Sequence, residues 1–340
     1  MACMGPGGGR VRAHAPGRVN LIGDHTDYTG GYVLPMAIDM GTTVEIERGG
    51  DRIELSSSGQ PEPACVDLDV DQAGTVSPDW ARYVAGVVAV LRPAVGARGS
   101  VSTSLPVGAG LSSSAALEVA LALALGFEGG VAELAVLCQQ AEQLASGVPS
   151  GVMDQLASAA GVAGHALLID CTSLQITPMP VPDGVDVVVV DSGERRALAT
   201  SAYAERRAQC EAAIEVLGPL REASPADVAT LPDGVVRRRA RHVVTENERV
   251  VQFSQCLRRC DMAGAGRLMV RSHASLRDDF EVSTPALDRL VGELTAIPGV
   301  FGARLTGAGF GGCAVALAEA GTPVPGWRVR AVNGATVEAS

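Results

Sequence analysis

Residues 17–35, GRVNLIGDHTDYTGGYVLP, set one arginine, two aspartates, a histidine and two tyrosines on a glycine-rich turn between short apolar runs. This is hydrogen-bonding rather than zinc chemistry, because one histidine with hard oxygens at the spacing of Asp24, His25 and Asp27 fits no zinc pattern. Arg18 either clamps an anion or lays its stem along a strand. A second stretch, PVGAGLSSSAALEVA (106–120), offers different chemistry. Gly108 and Gly110 let the backbone approach a ligand, and three serines stand where a helix begins. Free N–H groups and the macrodipole there favour an anion. The alternative is a plain glycine–serine turn with a capped helix. The apolar helix behind it, which would bury the loop beside a core, tips the reading to a phosphate cradle.

Glu142 and Asp154 are the third group. Magnesium bound with a nucleotide takes only one or two carboxylates and keeps water and phosphate oxygens as its other ligands. Glu142 falls in the last turn of a helix, where the dipole disfavours its charge and a cation would compensate. Asp154 falls in the first turn after Ser150, read as an N-cap, and an ionised aspartate beside a bound hydroxyl can accept its proton or orient it. Either acid alone reads as a solvated helix residue; their company suggests more. The motif GAGFGG (307–312) satisfies G-x-G-x-x-G, but too little chain follows to complete a dinucleotide-binding half, so it reads as a structural turn packed on another part of the protein. No G-x-S-x-G elbow occurs, and serine-hydrolase chemistry lacks support.

These groups need elements to hold them. GRVNLI and GYVLPMAI read as strands flanking the first turn, and MGTTVEIERGGDRIELSSSG as a hairpin turned at Gly49-Gly50. Apolar positions recur at helical spacing from Trp80, which is either core or an aromatic wall for a purine. A strand, the serine loop and a long apolar helix follow, then VAELAVLCQQAEQLAS, a helix ended by Gly147. HALLIDCTSLQITPMPVP returns to strand, and PMPVPDGVD marks a domain boundary near residue 181. The run RRRARH (237–242) reads as a solvated helix face. Hairpins mixed with helices make the class α+β.

The chain has 340 residues, enough for two domains. With 47% apolar and 19% charged residues the composition is globular, and a net charge of −11 argues against nucleic acid as a partner. All 27 basic residues are arginine, which removes the phosphate-loop lysine, the kinase strand lysine and any lysine Schiff base. Eight scattered cysteines without a C-x-x-C pair, and no apolar leader or spanning run, lead us to expect a cytoplasmic protein with reduced thiols and no membrane partner.

GRVNLIGDHTDYTGGYVLPMAI, PVGAGLSSSAALEVA and GARLTGAGFGGCAVAL resemble, in order, the three motifs of galactokinases in the GHMP kinase superfamily. The likeness extends through CQQAEQLASGVPSGVMDQLAS, SAYAERRAQCE and RRARHVVTENERV to cover Ala15 to about Leu317. It implies a two-domain fold, with a ribosomal protein S5 domain 2-like domain over 1–180 and a ferredoxin-like domain over 181–340, and an active site in the cleft between them. It also implies ATP-dependent phosphorylation of an anomeric sugar hydroxyl, with ATP and Mg2+ as cofactors. By position, Asp154 is then the catalytic base, with Arg18 holding it and stabilising the transferring phosphoryl group. Ser114 and Glu142 are the magnesium ligands. Gly108, Ala109, Gly110, Leu111, Ser112, Ser113 and Ser114 surround the ATP phosphates, with Trp80 in the adenine pocket and Ser56 as a further nucleotide contact. Asp24, His25, Thr26 and Asp27 read the sugar, with Gly151 and Tyr203 closing on it.

Two departures bear on the sugar. The family usually has a glutamate, which meets galactose near its 6-hydroxyl, where this chain has Asp24. One methylene fewer withdraws the carboxylate by about 1.5 Å, so that a bridging water or a different substrate becomes the expectation at that end. Only about a dozen residues precede APGRVNLIG, fewer than is usual. D-Galactose is the first expectation; N-acetylgalactosamine, arabinose, a uronic acid or a cyclitol stay open beside it. A sensor that binds sugar and ATP without transfer is the rival from another class, but such relatives have a damaged serine loop, and GLSSSAA here is intact. The sequence says nothing of oligomeric state; a monomer is compatible.

Overall fold

Strand β1 (Arg10–Asn20) leads into the polar turn, then β2 (Tyr32–Val33), β3 (Pro35–Arg48), β4 (Arg52–Ser57) and β5 (Ala64–Asp67). After them come helix α1 (Ala81–Leu91), β6 (Ala97–Thr103), α2 (Ser113–Ala124), α3 (Val131–Ser146), α4 (Met153–Ala160), β7 (His165–Asp170) and β8 (Gln175–Pro180). The remainder runs β9 (Val185–Asp191), α5 (Ala199–Leu217), α6 (Pro225–Thr230), α7 (Val235–Arg258), α8 (Met262–Asp278), α9 (Pro285–Thr295), β10 (Val300–Leu305), β11 (Cys313–Glu319), β12 (Trp327–Val329) and β13 (Thr336–Ala339). This computed structural model describes residues 9–106, 108–194 and 199–339; Cys3 and the stretch before Gly9 lie outside them.

Three sheets result: β13-β1-β3-β6-β4-β5, β10-β11-β9-β12 and β2-β7-β8. In β3, Val44 and Ile46 are buried while Glu45 and Glu47 alternate outward, the pattern of a half-covered strand. Helix α2 is buried on nearly every side, as its largely apolar sequence requires, with Glu118 the buried acid within it, and packs against β1, β3 and the helices α1, α3 and α4. The serine loop at its N-terminus is therefore anchored by the best-buried helix of this half.

The expected β3–β4 hairpin does not form. Strand β6 lies between the two, antiparallel to β3 and parallel to β4. The Gly49-Gly50 link instead exchanges backbone hydrogen bonds with Gly96, at 2.7 and 2.9 Å. The alternating pattern specified two half-buried strands but not the neighbour that fills each edge. RRRARH is a solvated face only in part, with Arg241 exposed and Arg237 and Arg238 partly so. Arg239 and His242 of α7 are buried, because Asp279, Glu281, Gln209, Ser275 and the Asp24 carbonyl supply partners. Ser150 is not the cap of α4: the helix begins at Met153, and the Ser150 carbonyl accepts from Gln139 and Gln143 instead, at 2.9 Å each.

Candidate active site

The register of β1 against β3 shifts between Pro16 and Arg18, and such a bulge re-aims the side chain beyond it. Arg18 thereby reaches α4, donating through Nε and Nη2 to the two oxygens of Asp154 at 2.7 Å each, while Nη1 donates to the Gly110 carbonyl at 2.7 Å. The fork geometry of guanidinium and carboxylate makes this a directional pair. The Ser112 hydroxyl donates to Asp154 as well, which gives the carboxylate three fixed donors. Ser112 caps α2 in a left-handed conformation (φ 60°), backbone strain of the kind found at functional sites.

Two cavities meet at this pair. The larger, about 550 Å³, is lined by Gly108, Gly110, Ser112, Ser113 and Ser114 of the loop, with Trp80, Ser57 and Gln60 further out. Gly108 and Gly110 have φ of 80° and 79°, which glycine adopts without strain. The smaller, about 270 Å³, is lined by Asp24, His25, Asp27, Gly151 and Tyr203, closed by Gly307 and Ala308. Arg18, Tyr83, Glu142 and Asp154 border both. One cavity has the depth and glycine–serine wall for a triphosphate, the other a ring of acids and aromatics for a polyol.

Not every expected residue lines these cavities. Ser56 points to the exposed face of β4 and donates weakly to Gly99; Ser57, one residue on, shares the inward face of Ile53 and Leu55 and lines the larger cavity. Ala109 and Leu111 turn their side chains into the core, and Leu111 enters the site only as a carbonyl that accepts from the Arg18 N–H. Thr26 is fully buried and does not line the sugar-sized cavity: its hydroxyl hydrogen-bonds the carbonyls of Gly23 and Tyr32 and staples the turn. His25 lines that cavity, but both ring nitrogens are taken, Nε2 by the Ala308 carbonyl at 3.2 Å and Nδ1 by the Tyr28 hydroxyl at 3.1 Å. Burial lowers its pKa to about 3, so the ring is neutral, donates from Nε2 and accepts at Nδ1.

Asp27 lies against Gly151 so closely that a Cβ there would fall 1.8 Å from its Oδ2. Burial, reinforced by the Asp154 charge, raises its carboxyl to about 7. Tyr203, from α5, stands edge-on to Tyr28 at 5.4 Å between ring centroids and tilted to His25 at 5.6 Å. Asp24 lines the cavity too; its Oδ2 is paired with Arg304 and its Oδ1 accepts from the Gly307 N–H at 3.1 Å.

Glu142 and Ser114 meet where α3 passes the start of α2, the hydroxyl donating to Oε1 at 2.9 Å. Its other oxygen accepts from Gln155 at 2.6 Å, and Gln155 also donates to Glu118 at 3.3 Å. Burial first, then the nearby Asp154 charge, pushes Glu142 up. Acids crowded this way suit a cation, and one carboxylate with one hydroxyl fits a magnesium ion that draws its other ligands from water and phosphate. No group of three His, Cys, Asp or Glu side chains placed to hold a metal ion occurs among the described residues. Tyr83, Ser57, Gln155, Glu118 and the GAGFGG turn escaped the sequence reading as site residues. Strand alternation could have found Ser57; the rest become neighbours only through packing.

Residues 7–48 match the galactokinase galactose-binding signature, 82–162 the GHMP kinases N terminal domain and 253–323 the GHMP kinases C terminal. The chain is 46% identical to a galactokinase of Homo sapiens over 90% of its own length and 83% of that protein, and 45% identical to one of Roseiflexus sp. over 91% and 83%. It superposes on Lactococcus lactis galactokinase complexed with galactose with a TM-score of 0.89 at 32% identity, covering 96% of this chain and 95% of that one. A mevalonate kinase shares the fold, with a TM-score of 0.68 at 20% identity.

Proposed function

We propose that this chain, which belongs to the galactokinase family of GHMP kinases, transfers the terminal phosphoryl group of ATP to the anomeric hydroxyl of D-galactose, giving galactose 1-phosphate. The observation that carries the reading is the Arg18–Asp154 pair at the junction of a phosphate-sized and a sugar-sized cavity.

The sugar lies among Asp24, Asp27, Gly151 and Tyr203 with its reactive hydroxyl toward Asp154. The triphosphate lies along residues 108–114, received by the N–H groups at the start of α2. Asp154, already shared among three donors, orients the hydroxyl and takes its proton as the bond to the terminal phosphorus forms and the bond from that phosphorus to the bridging oxygen breaks, releasing ADP. A loose transition state asks for positioning more than for early deprotonation. Arg18 holds that carboxylate and places fixed positive charge beside the transferring group. Ser114 and Glu142 would hold Mg2+, which would supply charge neutralisation on the phosphate oxygens. Trp80 supplies a face for adenine. The division into 1–180 and 181–340 belongs to the same reading, with β13 returning across it to pair with β1.

ADP release across a panel of galactose, N-acetylgalactosamine, arabinose, galacturonate and inositol tests the substrate. Galactose should give the highest kcat/KM. Tight sugar binding without turnover of any member would replace the kinase with a sensor. Asp154→Ala should remove turnover and leave ATP affinity nearly unchanged, as checked by calorimetry; near-normal turnover in that variant would dismiss the base.

A further inference from the structure

Arg304, on β10, is fully buried, and its only ion-pair partner among the described residues is Asp24 of the sugar turn, 280 residues away. The motif that follows β10 continues the grip, since the Gly307 N–H holds the other oxygen of Asp24. The Asp24 backbone is fixed as well, its carbonyl accepting from His242 at 3.1 Å. A neighbouring acid, Glu246, accepts from Arg249, Ser272 and the Gly23 N–H; it feels the Arg304 charge but makes no ion pair with it among the described residues. Asp24, Gly307 and Ala308 line the wall of the smaller cavity that is not shared with the larger one.

We propose that Arg304 is a positioning residue for sugar selection: with Gly307 it fixes Asp24 as an acceptor-only carboxylate at the end of the cavity away from phosphoryl transfer. The proposal rests on the galactokinase reading and narrows its substrate class. Burial raises the Asp24 carboxyl, and the Arg304 charge opposes that rise. Because Arg304 and the Gly307 N–H donate to its two oxygens, the side chain is held in a geometry in which both oxygens accept, each with a lone pair left for the ligand. That end then demands a neutral sugar with a free hydroxyl. An analogue lacking the hydroxyl leaves a buried acceptor unmet, and a uronic acid brings a second carboxylate against the first.

The test compares kcat/KM for galactose, its singly deoxygenated analogues and galacturonate in the wild type, Asp24→Asn, Arg304→Lys, Arg304→Gln and the double variant Asp24→Asn/Arg304→Gln. Wild type should reject one deoxy analogue and galacturonate far more than the others. In Asp24→Asn that selective penalty should shrink roughly ten- to a hundredfold, the worth of one charge-assisted hydrogen bond. Arg304→Gln should follow it, Arg304→Lys should keep the wild-type ranking, and the double variant should rank the sugars as Asp24→Asn does. Should Arg304→Gln fail to fold, the double variant decides, because it removes both buried charges together. Arg304 variants that slow every sugar in proportion, or a double variant that ranks sugars differently from Asp24→Asn, would overturn the proposal. If wild type ignores galactose the substrate reading fails instead, and the same ratios are then read on whichever sugar is turned over.

Discussion

Asp27 is a carboxyl pressed between Gly151 and the Asp154 charge, and its elevation to about 7 has consequences for stability. From its ordinary 3.8 up to about 7, the folded chain keeps a proton that the unfolded chain releases, so this residue makes the fold less stable as pH rises through that window. His25, lowered to about 3, and His242 and His273, lowered to about 4, act the other way: kept neutral, they make the fold lose stability as pH falls below 6.5. The whole-chain profile mixes these slopes, but the difference between Asp27→Asn and wild type isolates one. Urea unfolding of the ligand-free protein should show the variant gaining on wild type between pH 4 and 8, by roughly 2–4 kcal/mol. A constant gap across that range would mean that Asp27 ionises normally. The sequence set several acids on one turn, and the resemblance implied that they read a sugar; that Asp27 stands close enough to Asp154 to feel its charge came from tertiary packing.

At the scale of elements, α7 shows how charge misleads. Four arginines in RRRARH suggested a wet face, yet Arg239 donates to Gln209 at 2.8 Å and to the Asp279 carbonyl at 2.5 Å, and pairs with Glu281 at 2.5 Å. Arg241, two residues on, makes only a half-exposed pair with Asp279 at 3.0 Å. Arg239→Ala should therefore cost about 2–4 kcal/mol in denaturant unfolding, and Arg241→Ala no more than about 1 kcal/mol. Equal small losses would restore the solvated reading. Periodicity located α7, α2, α3 and most strands because local burial needs recur with the helix and strand repeats. It missed the β6 insertion, since an alternating strand satisfies its face equally well beside either neighbour.

Across the whole molecule, one arginine ties distant parts. Arg221, in the link between α5 and α6, donates to both oxygens of Asp170 at the end of β7, at 2.7 and 2.9 Å, to the Gly30 carbonyl at 3.1 Å and to the Tyr32 hydroxyl at 2.8 Å. The sugar turn, the three-stranded sheet and the helical second half thus share one guanidinium. It holds the Asp170 carboxyl well below the usual range, so the pair's contribution is present above about pH 3.8 and is lost as pH falls further. Arg221→Ala should lower stability at pH 7 by about 1–3 kcal/mol, and the gap should close toward pH 2. A gap unaffected by acid would separate the arginine's role from Asp170.

The sequence by itself determined which groups could do chemistry and where each chain segment would turn, because a helix start, a glycine at positive φ and an alternating strand are local events with local signatures. Asp154, Arg18, Glu142 and Ser114 could be named from it once the motifs were seen together. Tertiary structure alone decided that Arg304 would spend its charge on Asp24, that Arg239 would be buried, and that Ser57 rather than Ser56 would face the larger cavity. Ion pairs and hydrogen bonds act over a few ångströms, and which groups come that close depends on how sheets order their strands and helices cross them, which no single segment records.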